Sequence, residues 1–319
     1  MRLVLFYLLA LTWGGQAAGQ STSYPSKPIR FIVPFAAGGS TSILSRLVGD
    51  RLTRSWGQQV LVDNRPGGNT IIGTEAMVKS PADGHTILFA TTSHVTYPQL
   101  TPAPYDALKD FATVATIGNS QYVLVLNAGV PANTLVEFID YAKARPGQLN
   151  FSSPGGGGMG HLAGEMFNIL AGVKIQNVSY KGSAPAVTDL VGGQVQVSFV
   201  TPINVMSHIK SGKLKALAIT GKRRMDALPQ MPTFAEGGLP SFEMSVWFGV
   251  LAPAATPNAI ISKLSAEISR FLTQPDVAET LASQGMDPFI TTPEQFSALM
   301  KADYAKYARV IETAKIKLE

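Results

Sequence analysis

The fold is decided by the stretch Ile29-Arg30-Phe31-Ile32-Val33-Pro34-Phe35-Ala36-Ala37-Gly38-Gly39-Ser40-Thr41, in which a short apolar run leads into a glycine pair. A helical pattern follows over Ile43–Arg54, so the stretch predicts a strand, a tight turn and a helix. Paired glycines permit positive φ and let the backbone approach a ligand closely. Ser40 or Thr41 is predicted to cap the helix, whose free N–H groups would form an anion site. The alternative is an ordinary strand-to-helix turn that binds nothing.

Short apolar runs and helical patterns keep alternating after this stretch. Strands are predicted at Ile29–Val33, Gln59–Asp63, Thr86–Ala90, Phe111–Ile117, Tyr122–Leu126, Gln148–Ser152, Lys174–Ser179, Val195–Val200 and Leu214–Ile219. Such alternation predicts an α/β fold with parallel-rich sheets and helices on both faces. The tail carries helical patterns over Pro257–Leu272, Pro275–Ser283 and Pro293–Ala314, and we expect it to pack back on the first sheet.

The chain of 319 residues is too long for one average domain, so we expect two lobes. The polypeptide is predicted to cross between them at 120–127 and 239–256. The first lobe is then discontinuous and comprises 25–122 plus 245–319, while the second comprises 123–244. In open α/β sheets ligands bind beyond the carboxyl ends of the strands, which predicts a ligand cleft between the lobes.

Residues 1–19 have the features of a secretory signal peptide. Arg2 supplies the positive charge, Leu3–Trp13 is uncharged and mostly apolar, and small residues follow. The alternative is a membrane anchor, which needs about 20 apolar residues, more than this run provides. No later stretch is long enough to span a bilayer, so we expect an exported, periplasmic protein that is not embedded in the membrane.

Composition excludes several classes of function. Cysteine is absent, which rules out disulfides, thiolate metal sites, cysteine nucleophiles and lipidation of an N-terminal cysteine. The net charge is +5, and removal of the signal peptide with Arg2 lowers it to +4. Basic residues are scattered apart from Lys222-Arg223-Arg224, so no nucleic-acid partner is expected. A mildly positive surface favours anionic ligands.

A second glycine-rich turn spans Phe151-Ser152-Ser153-Pro154-Gly155-Gly156-Gly157-Gly158-Met159-Gly160-His161-Leu162, again between a predicted strand and a predicted helix. Gly155, Gly157 and Gly160 satisfy the GxGxxG pattern of dinucleotide sites. Such a site needs an acid about 20 residues on, at the end of the next strand, and Gln176–Tyr180 supplies none. We therefore expect no dinucleotide and no other cofactor, and we interpret the turn as the second lobe's side of the cleft.

Polar residues follow several other predicted strands at the same edge. Thr91–His94, Tyr180–Ser183 and Thr201 supply hydrogen-bond donors that suit a carboxylate and imply no catalysis. The candidate ligand-binding residues are Phe35, Ala36, Ala37, Gly38, Gly39, Ser40, Thr41, Thr92, Ser93, His94, Ser152, Ser153, Gly157, Gly158, Met159, His161, Lys181 and Thr201.

Catalytic and metal-binding signatures are weak. The sequence has no GxSxG, no HExxH and no SxxK placed to open a helix. His161 and Glu165 are spaced to share a helix face, which could in principle ligate a metal, but we expect packing or a hydrogen bond there and no metal. We expect no catalytic residue. A Ser/His/Asp set of residues distant in sequence stays open, and with it an exported serine hydrolase.

A series of short segments runs in order from about Tyr24 to the C-terminus. They are Tyr24–Arg30, Pro34–Thr41, Asp63–Gly68, Tyr105–Phe111, His161–Glu165, Val178–Gly182, Gly192–Val195, His208–Leu214, Leu228–Thr233, Glu236–Pro240 and Trp247–Gly249. By these segments the chain resembles the periplasmic substrate-binding proteins of tripartite tricarboxylate transporters, the Bug family. Each segment is weak by itself, and their specificity lies in the combination.

The resemblance implies a two-lobed, type II periplasmic-binding-protein-like fold with a cleft between the lobes. It implies a small carboxylate held beside the first-lobe turn, no catalysis, and delivery by a monomer to a two-component membrane permease. Ser42 stands where the family usually has an acid, which disfavours amino acids as ligands. Gly158-Met159-Gly160 replaces the usual hydroxyl residues of the second turn and favours a more apolar ligand.

We therefore expect an aromatic or aliphatic di- or tricarboxylate as the ligand. A sensory binding protein that presents its ligand to a membrane kinase is the alternative to a transport role, and the sequence does not separate the two.

Overall fold

Two β-sheets flanked by helices make up the computed structural model, which describes residues 24–313, 315 and 316. The predicted signal peptide lies outside the described residues. The strands are β1 Ile29–Val33, β2 Val60–Asn64, β3 Thr86–Thr91, β4 Phe111–Gln121, β5 Val123–Asn127, β6 Leu149–Ser153, β7 Ile175–Ser179, β8 Val197–Val200, β9 Leu214–Ile219, β10 Ser245–Pro253 and β11 Met286–Pro288. The helices are α1 Ser40–Trp56, α2 Ile71–Val78, α3 Ser93–Leu100, α4 Leu135–Lys143, α5 Met159–Ala171, α6 Ser183–Val191, α7 Met206–Lys210, α8 Asn258–Leu272, α9 Pro275–Ser283 and α10 Pro293–Thr313, with a 3-10 turn at Pro202–Asn204.

The two sheets have the same internal order. The first runs β11-β4-β10-β3-β1-β2 and the second runs β7-β6-β8-β5-β9. In each, three parallel strands are followed by one antiparallel strand, β10 or β5, with which β4 or β9 then pairs antiparallel. The first sheet takes its strands from 29–121 and 245–288, and the second from 123–219. The predicted α/β class is confirmed, and both sheets are mixed, with three parallel strands on one side and antiparallel pairing on the other.

Both glycine turns leave the middle strand of a parallel trio. Phe31 in β1 lies opposite Val62 on one side and Ile87 on the other. Phe151 in β6 likewise lies between Asn177 and Val197. The carboxyl end of a central parallel strand is where open α/β sheets bind ligands, so the register places both turns at the expected edge.

Three elements are absent from the prediction made on sequence. α3 is an eight-residue helix with Pro98 inside it, a residue that normally ends a helical pattern. β10 lies in the segment predicted only as a crossing, and it is buried from Val246 to Pro253 because it pairs on both edges. β11 is a three-residue edge strand in the helix-rich tail, too short to show a pattern.

Apolar side chains hold each sheet to its helices. In the second lobe Phe234 and Phe242 stack with ring centroids 4.2 Å apart, beside Phe199 and Phe167. All four rings are buried, and burial of each such side chain contributes roughly 1.5–3 kcal/mol. The tail helices α8 and α10 pack against β4, as expected of a tail that returns to the first sheet.

Candidate ligand-binding cleft

The two glycine turns have the same backbone conformation. Gly38 has φ +90° and Gly39 follows with φ −86° and ψ 176°. Gly157 has φ +84° and Gly158 follows with φ −79° and ψ 172°. Only the first glycine of each pair needs the left-handed region that side chains disfavour. The second glycine is the N-cap of α1 or α5.

The prediction that Ser40 or Thr41 caps α1 is therefore wrong. α1 begins at Ser40, and its N-cap, Gly39, has no side chain with which to accept the free N–H groups of the first turn. The hydroxyls of Ser40 and Thr41 are thus not used as caps and face the cleft, where both residues line a cavity.

Each of these helices receives a cap from the opposite lobe. The N–H of Ser40, the first residue of α1, donates to Oδ1 of Asn204 at 2.8 Å. The N–H of Met159, the first residue of α5, donates to Oγ of Ser93 at 3.3 Å. Because the acceptors lie across the cleft, these two caps form only while the lobes are together.

Further hydrogen bonds join the lobes around the cleft. The N–H of Ala36 donates to the carbonyl of Lys181 at 2.8 Å. Thr96 Oγ1 donates to the carbonyl of Gly157 at 2.9 Å. Both bonds end in a glycine-turn segment predicted to bind ligand, so the predicted segments of the two lobes do meet.

An inner cavity lies between the two lobes. Its lining residues are Phe35, Ser40, Thr41, Thr91, Ser93, Tyr97, Tyr122, Pro154, Ser183, Val200, Thr201, Val246 and Phe248. None of these residues is charged. One part of the wall is hydroxyl-bearing and the other is aromatic or aliphatic, which is the usual composition of a small-molecule site.

The threonine hydroxyls of the inner cavity are oriented as donors. Thr91 Oγ1 accepts the N–H of Ser93 at 3.2 Å, and Thr201 Oγ1 accepts Nδ2 of Asn204 at 2.8 Å. Neither threonine hydroxyl donates to another residue in the described part of the chain. A hydroxyl has one proton, so each can direct its O–H toward an acceptor in the cavity. Such an arrangement suits an anion.

An outer cavity adjoins the inner one and shares Phe35, Tyr97 and Pro154 with it. Its remaining lining residues are Pro34, Gly67, Gly68, Asn69, Thr70, Gly155, Ser179, Tyr180 and Lys181. Lys181 is the one charged residue among them. Its side chain makes no ion pair within the described ranges, so its charge is available to a ligand.

Strained backbone forms one wall of the outer cavity. Gly67, Gly68, Asn69 and Thr70 have consecutive positive φ values of 129°, 54°, 50° and 74°. For a β-branched residue such as Thr70 this conformation is a true outlier. Left-handed non-glycine residues cost of order 1–3 kcal/mol each and cluster at ligand-binding sites. The strain at Asn69 and Thr70 therefore supports a ligand-binding role for this wall of the outer cavity.

Two predicted site residues, Thr92 and His94, do not line the inner cavity and instead form hydrogen bonds with the backbone around it. Thr92 Oγ1 accepts the N–H of Trp247 at 3.0 Å. His94 Nε2 donates to the carbonyl of Ala107 at 2.9 Å, and burial lowers the pKa of His94 to about 4. His94 is therefore a neutral, buried side chain that ties the start of α3 to the segment around Ala107.

The second turn contributes mainly backbone to the interface. Nδ1 of His161 accepts the N–H of Gly157 at 2.8 Å, and Ser153 Oγ donates to the carbonyl of Gly155. Met159 is buried in the hydrophobic core and lines neither cavity, so the structure gives no support to a role for its side chain in ligand choice. Ser152 Oγ is buried without a partner among the described atoms.

Two glycines of the second turn make room for the first lobe. A Cβ at Gly158, which is not part of the GxGxxG pattern, would lie 2.5 Å from the hydroxyl of Tyr97, and one at Gly155, the first glycine of the pattern, would be closer still. Tyr97 comes from α3 in the first lobe, so the close approach of that lobe requires these two glycines.

The described residues contain neither a metal-ligating cluster nor a membrane-spanning helix. In the described part of the chain no three His, Asp or Glu side chains cluster so as to hold a metal ion. His161 Nε2 and Glu165 Oε1 stand 3.6 Å apart as an isolated pair. Over the same residues, no helix combines the length and the apolar character that crossing a bilayer requires.

Sequence reasoning missed several residues of the cleft. Tyr97 and Asn204 join it through α3 and the 3-10 turn. Gly67 and Gly68 form a third glycine pair after a strand, a signal that could have placed Gly67–Thr70 at the same edge. For Asn204 no sequence signal exists, because its role depends on contact with a residue 164 positions away.

Comparison with known proteins gives consistent matches along the chain. The model of the tripartite tricarboxylate transporter family receptor (TctC) matches residues 44–316. Protein BugT of Bordetella pertussis is 38% identical over 320 residues, covering 99% of this chain and 98% of BugT.

Solved structures agree with this match. An R. palustris protein with adipate has a TM-score of 0.90 and 33% identity, covering 92% of this chain and 99% of that one. MatC from Rhodopseudomonas palustris with bound malate has a TM-score of 0.86 and 28% identity, covering 90% and 100%. The fold and the cleft are those of a two-lobed periplasmic binding protein. The chain belongs to the TctC family of tripartite tricarboxylate transporter receptors, which confirms the resemblance drawn from its sequence.

Proposed function

We propose that this protein captures a small carboxylate in the cleft between its lobes and presents it to a two-component membrane permease, with no chemical step. The observation that carries this proposal is the inner cavity, whose Thr91 and Thr201 hydroxyls, one from each lobe, are oriented as donors in a wall without charged side chains. Donors without competing acceptor charges favour an anion over a cation or an amine.

The magnitudes are adequate for useful affinity. Hydrogen bonds to a charged group contribute roughly 1.5–3 kcal/mol each. Micromolar binding requires about 8 kcal/mol net, so three to five such bonds can supply it after ordering costs. Ser40, Thr41 and Ser183 line the same cavity and add further hydroxyls. Because the donors come from both lobes, a bound carboxylate would favour the closed cleft.

A dicarboxylate fits the paired cavities better than an amino acid does. The outer cavity offers Lys181 as a partner for a second carboxylate, and neither cavity has an acidic lining residue to hold an ammonium group. Ser42, at the position where an acid is usual, is a buried neutral residue of α1. Relatives of this fold have been solved with adipate and with malate, which are both dicarboxylates.

The organisation of the chain follows from this role. We propose lobes at 25–122 plus 245–319 and at 123–244, consistent with the strands that each sheet contains. We propose export to the periplasm, directed by residues 1–19, and a monomeric state. The crossings at Tyr122 and before β10 would serve as the hinge.

Isothermal titration and thermal-shift measurements on the protein lacking residues 1–19 test the proposal. The panel comprises adipate, malate, phthalate and benzoate, with aspartate and lysine as amine-bearing controls. We expect micromolar or tighter binding of at least one dicarboxylate and none of lysine. Stabilisation by amino acids with no response to any carboxylate would refute the proposal.

A further inference from the structure

Asn204 links the two lobes through both ends of its side-chain amide. Its Oδ1 accepts the N–H of Ser40 at 2.8 Å, and its Nδ2 donates to Thr201 Oγ1 at 2.8 Å. A backbone N–H can only donate, so the amide oxygen must face α1 and the amide nitrogen must face Thr201. The orientation of the amide is therefore fixed by α1.

We propose that Asn204 is a positioning residue that turns the Thr201 hydroxyl into a donor toward the bound carboxylate and does so most effectively when the cleft is closed. Its Nδ2 occupies a lone pair of Thr201 Oγ1, which leaves the hydroxyl proton to the cavity that Thr201 lines. The donors then run in one direction, from Ser40 through Asn204 and Thr201 to the ligand. Hydrogen bonds aligned in this way polarise one another.

The coupling to closure follows from the position of Ser40. Ser40 belongs to the first lobe and Asn204 to the 3-10 turn of the second, so opening the cleft separates them. In the open state the bond from Ser40 is lost, and only the contacts of Asn204 Nδ2 with Thr201, at 2.8 Å to Oγ1 and 3.5 Å to its carbonyl, still orient the amide, so the preference of Thr201 for donating weakens. The inference rests on the proposed function, because it assigns a carboxylate as the acceptor of Thr201.

Few charges surround this chain of hydrogen bonds. α1 has no acidic residue in its first turn. The 3-10 turn packs against α6 and α7, whose titratable residues are Asp189, His208 and Lys210. Asp189 accepts the hydroxyl of Tyr180 at 2.7 Å, and none of the three lines the inner cavity. A negative charge introduced at position 204 would therefore act on the ligand without a compensating neighbour.

Two variants separate positioning from packing. Asn204→Asp keeps the size of the side chain and an oxygen for Ser40, but it loses the N–H donor and gains a charge. Asn204→Ala removes both bonds. We expect Asn204→Ala to bind adipate or malate about tenfold more weakly at every pH from 5 to 8. We expect Asn204→Asp to bind about a hundredfold more weakly at pH 8 and to recover only as the pH falls toward about 4, the ordinary pKa of an aspartate, where its carboxyl gains a proton to donate.

Ligand affinities of the wild type and both variants are measured by calorimetry. Dividing each variant's affinity by that of the wild type at the same pH removes the effects of protonation of the ligand and of the residues that all three proteins share. Ser207→Ala, an exposed position on α7, is the matched control. Amide hydrogen exchange at Ser40, measured with each protein saturated by adipate or malate so that the cleft is closed, reads the contact directly, and we expect the protection to fall in Asn204→Ala and to persist in Ser207→Ala.

The outcomes distinguish the two proposals. If the wild type binds adipate or malate and Asn204→Asp shows the same pH profile as the wild type, the role of Asn204 is refuted while the proposed function stands. Unchanged exchange at Ser40 in Asn204→Ala refutes the contact itself. If the wild type binds no carboxylate, both the proposed function and the coupling fail.

Discussion

Oγ of Ser93 in the first lobe accepts the backbone N–H of Met159 in the second, at 3.3 Å, and so caps α5 from across the cleft. The bond between Ser40 N–H and Asn204 does the same for α1 in the opposite direction. Each lobe thus supplies the side-chain acceptor for the first N–H of the other lobe's helix, because a glycine N-cap has no side chain of its own. Closure of the cleft and capping of the two helices are one event.

Replacement of Ser93 by alanine removes the cap on α5. We expect adipate or malate affinity to fall about three- to tenfold, because the closed form loses one hydrogen bond across the cleft. The global unfolding free energy should change by less than about 1 kcal/mol, since each lobe keeps its own core. Calorimetric titration and thermal denaturation measure the two quantities. Ser207→Ala should match the wild type, and equal affinities of Ser93→Ala and wild type would contradict the prediction.

Gly38 requires its positive φ of 90°, whereas Gly39 with φ −86° does not. Gly38→Ala is expected to cost about 1–2 kcal/mol of stability and to weaken carboxylate binding, because its Cβ would also stand 3.4 Å from that of Ala184. The matched control is Gly172→Ala, with φ 64° and open space around the added methyl. It should lose similar stability and keep its affinity. Loss of affinity in both variants would indicate a general effect of instability.

Gly158 tests the contact with Tyr97. Its backbone is ordinary, so the effect of Gly158→Ala is the clash of the methyl with the Tyr97 hydroxyl, 2.5 Å away. We expect about tenfold weaker ligand binding, from incomplete closure that small-angle scattering would show as a larger radius of gyration with ligand present. Adding Tyr97→Phe should restore part of the affinity. If the double variant binds no better than Gly158→Ala, the clash is not the cause.

Lys181 tests the outer cavity. Its ammonium is exposed, so Lys181→Met should weaken dicarboxylate binding by only about three- to fivefold, the range of an exposed ion pair. The loss should shrink as salt rises, because exposed charges are screened. Benzoate, which has one carboxylate, should lose less than adipate does. Lys174→Met, at another exposed position of the second lobe, is the control. Equal losses for both ligands would remove Lys181 from the second-carboxylate role.

The buried His94 should make the free energy of unfolding depend on pH. Burial lowers its pKa to about 4, below the value near 6.5 of an unfolded histidine. Between these values the unfolded chain binds a proton that the folded protein does not, so stability falls as pH falls from about 6.5 to about 4, by about 3 kcal/mol in all. Denaturant unfolding at several pH values should show this component in the wild type and in His208→Gln. His94→Gln, which keeps a donor for Ala107, should lack it, and an unchanged pH slope would contradict this assignment.

Much of the fold could be predicted from local patterns. The apolar run 29–33 and the glycine pair that follows define a βα unit, and Leu214–Ile219 and Pro275–Ser283 have the bounds that their patterns indicate. These elements are specified by neighbours in the sequence. β10 and α3 are not, because β10 is stabilised by strands on both sides and α3 tolerates Pro98 through tertiary packing.

Hydrophobic periodicity and glycine are local signals, and they were enough to predict that two glycine turns open two helices at the carboxyl ends of two strands. The position of those strands in the middle of each parallel trio and the use of the turns depend on the tertiary structure. Ser40 and Thr41 do not cap α1, His94 does not line the inner cavity, and Asn204 and Ser93 supply caps from the opposite lobes. The physical reason is that a hydrogen bond between residues far apart in the chain depends on how the lobes meet, and no local pattern encodes that contact.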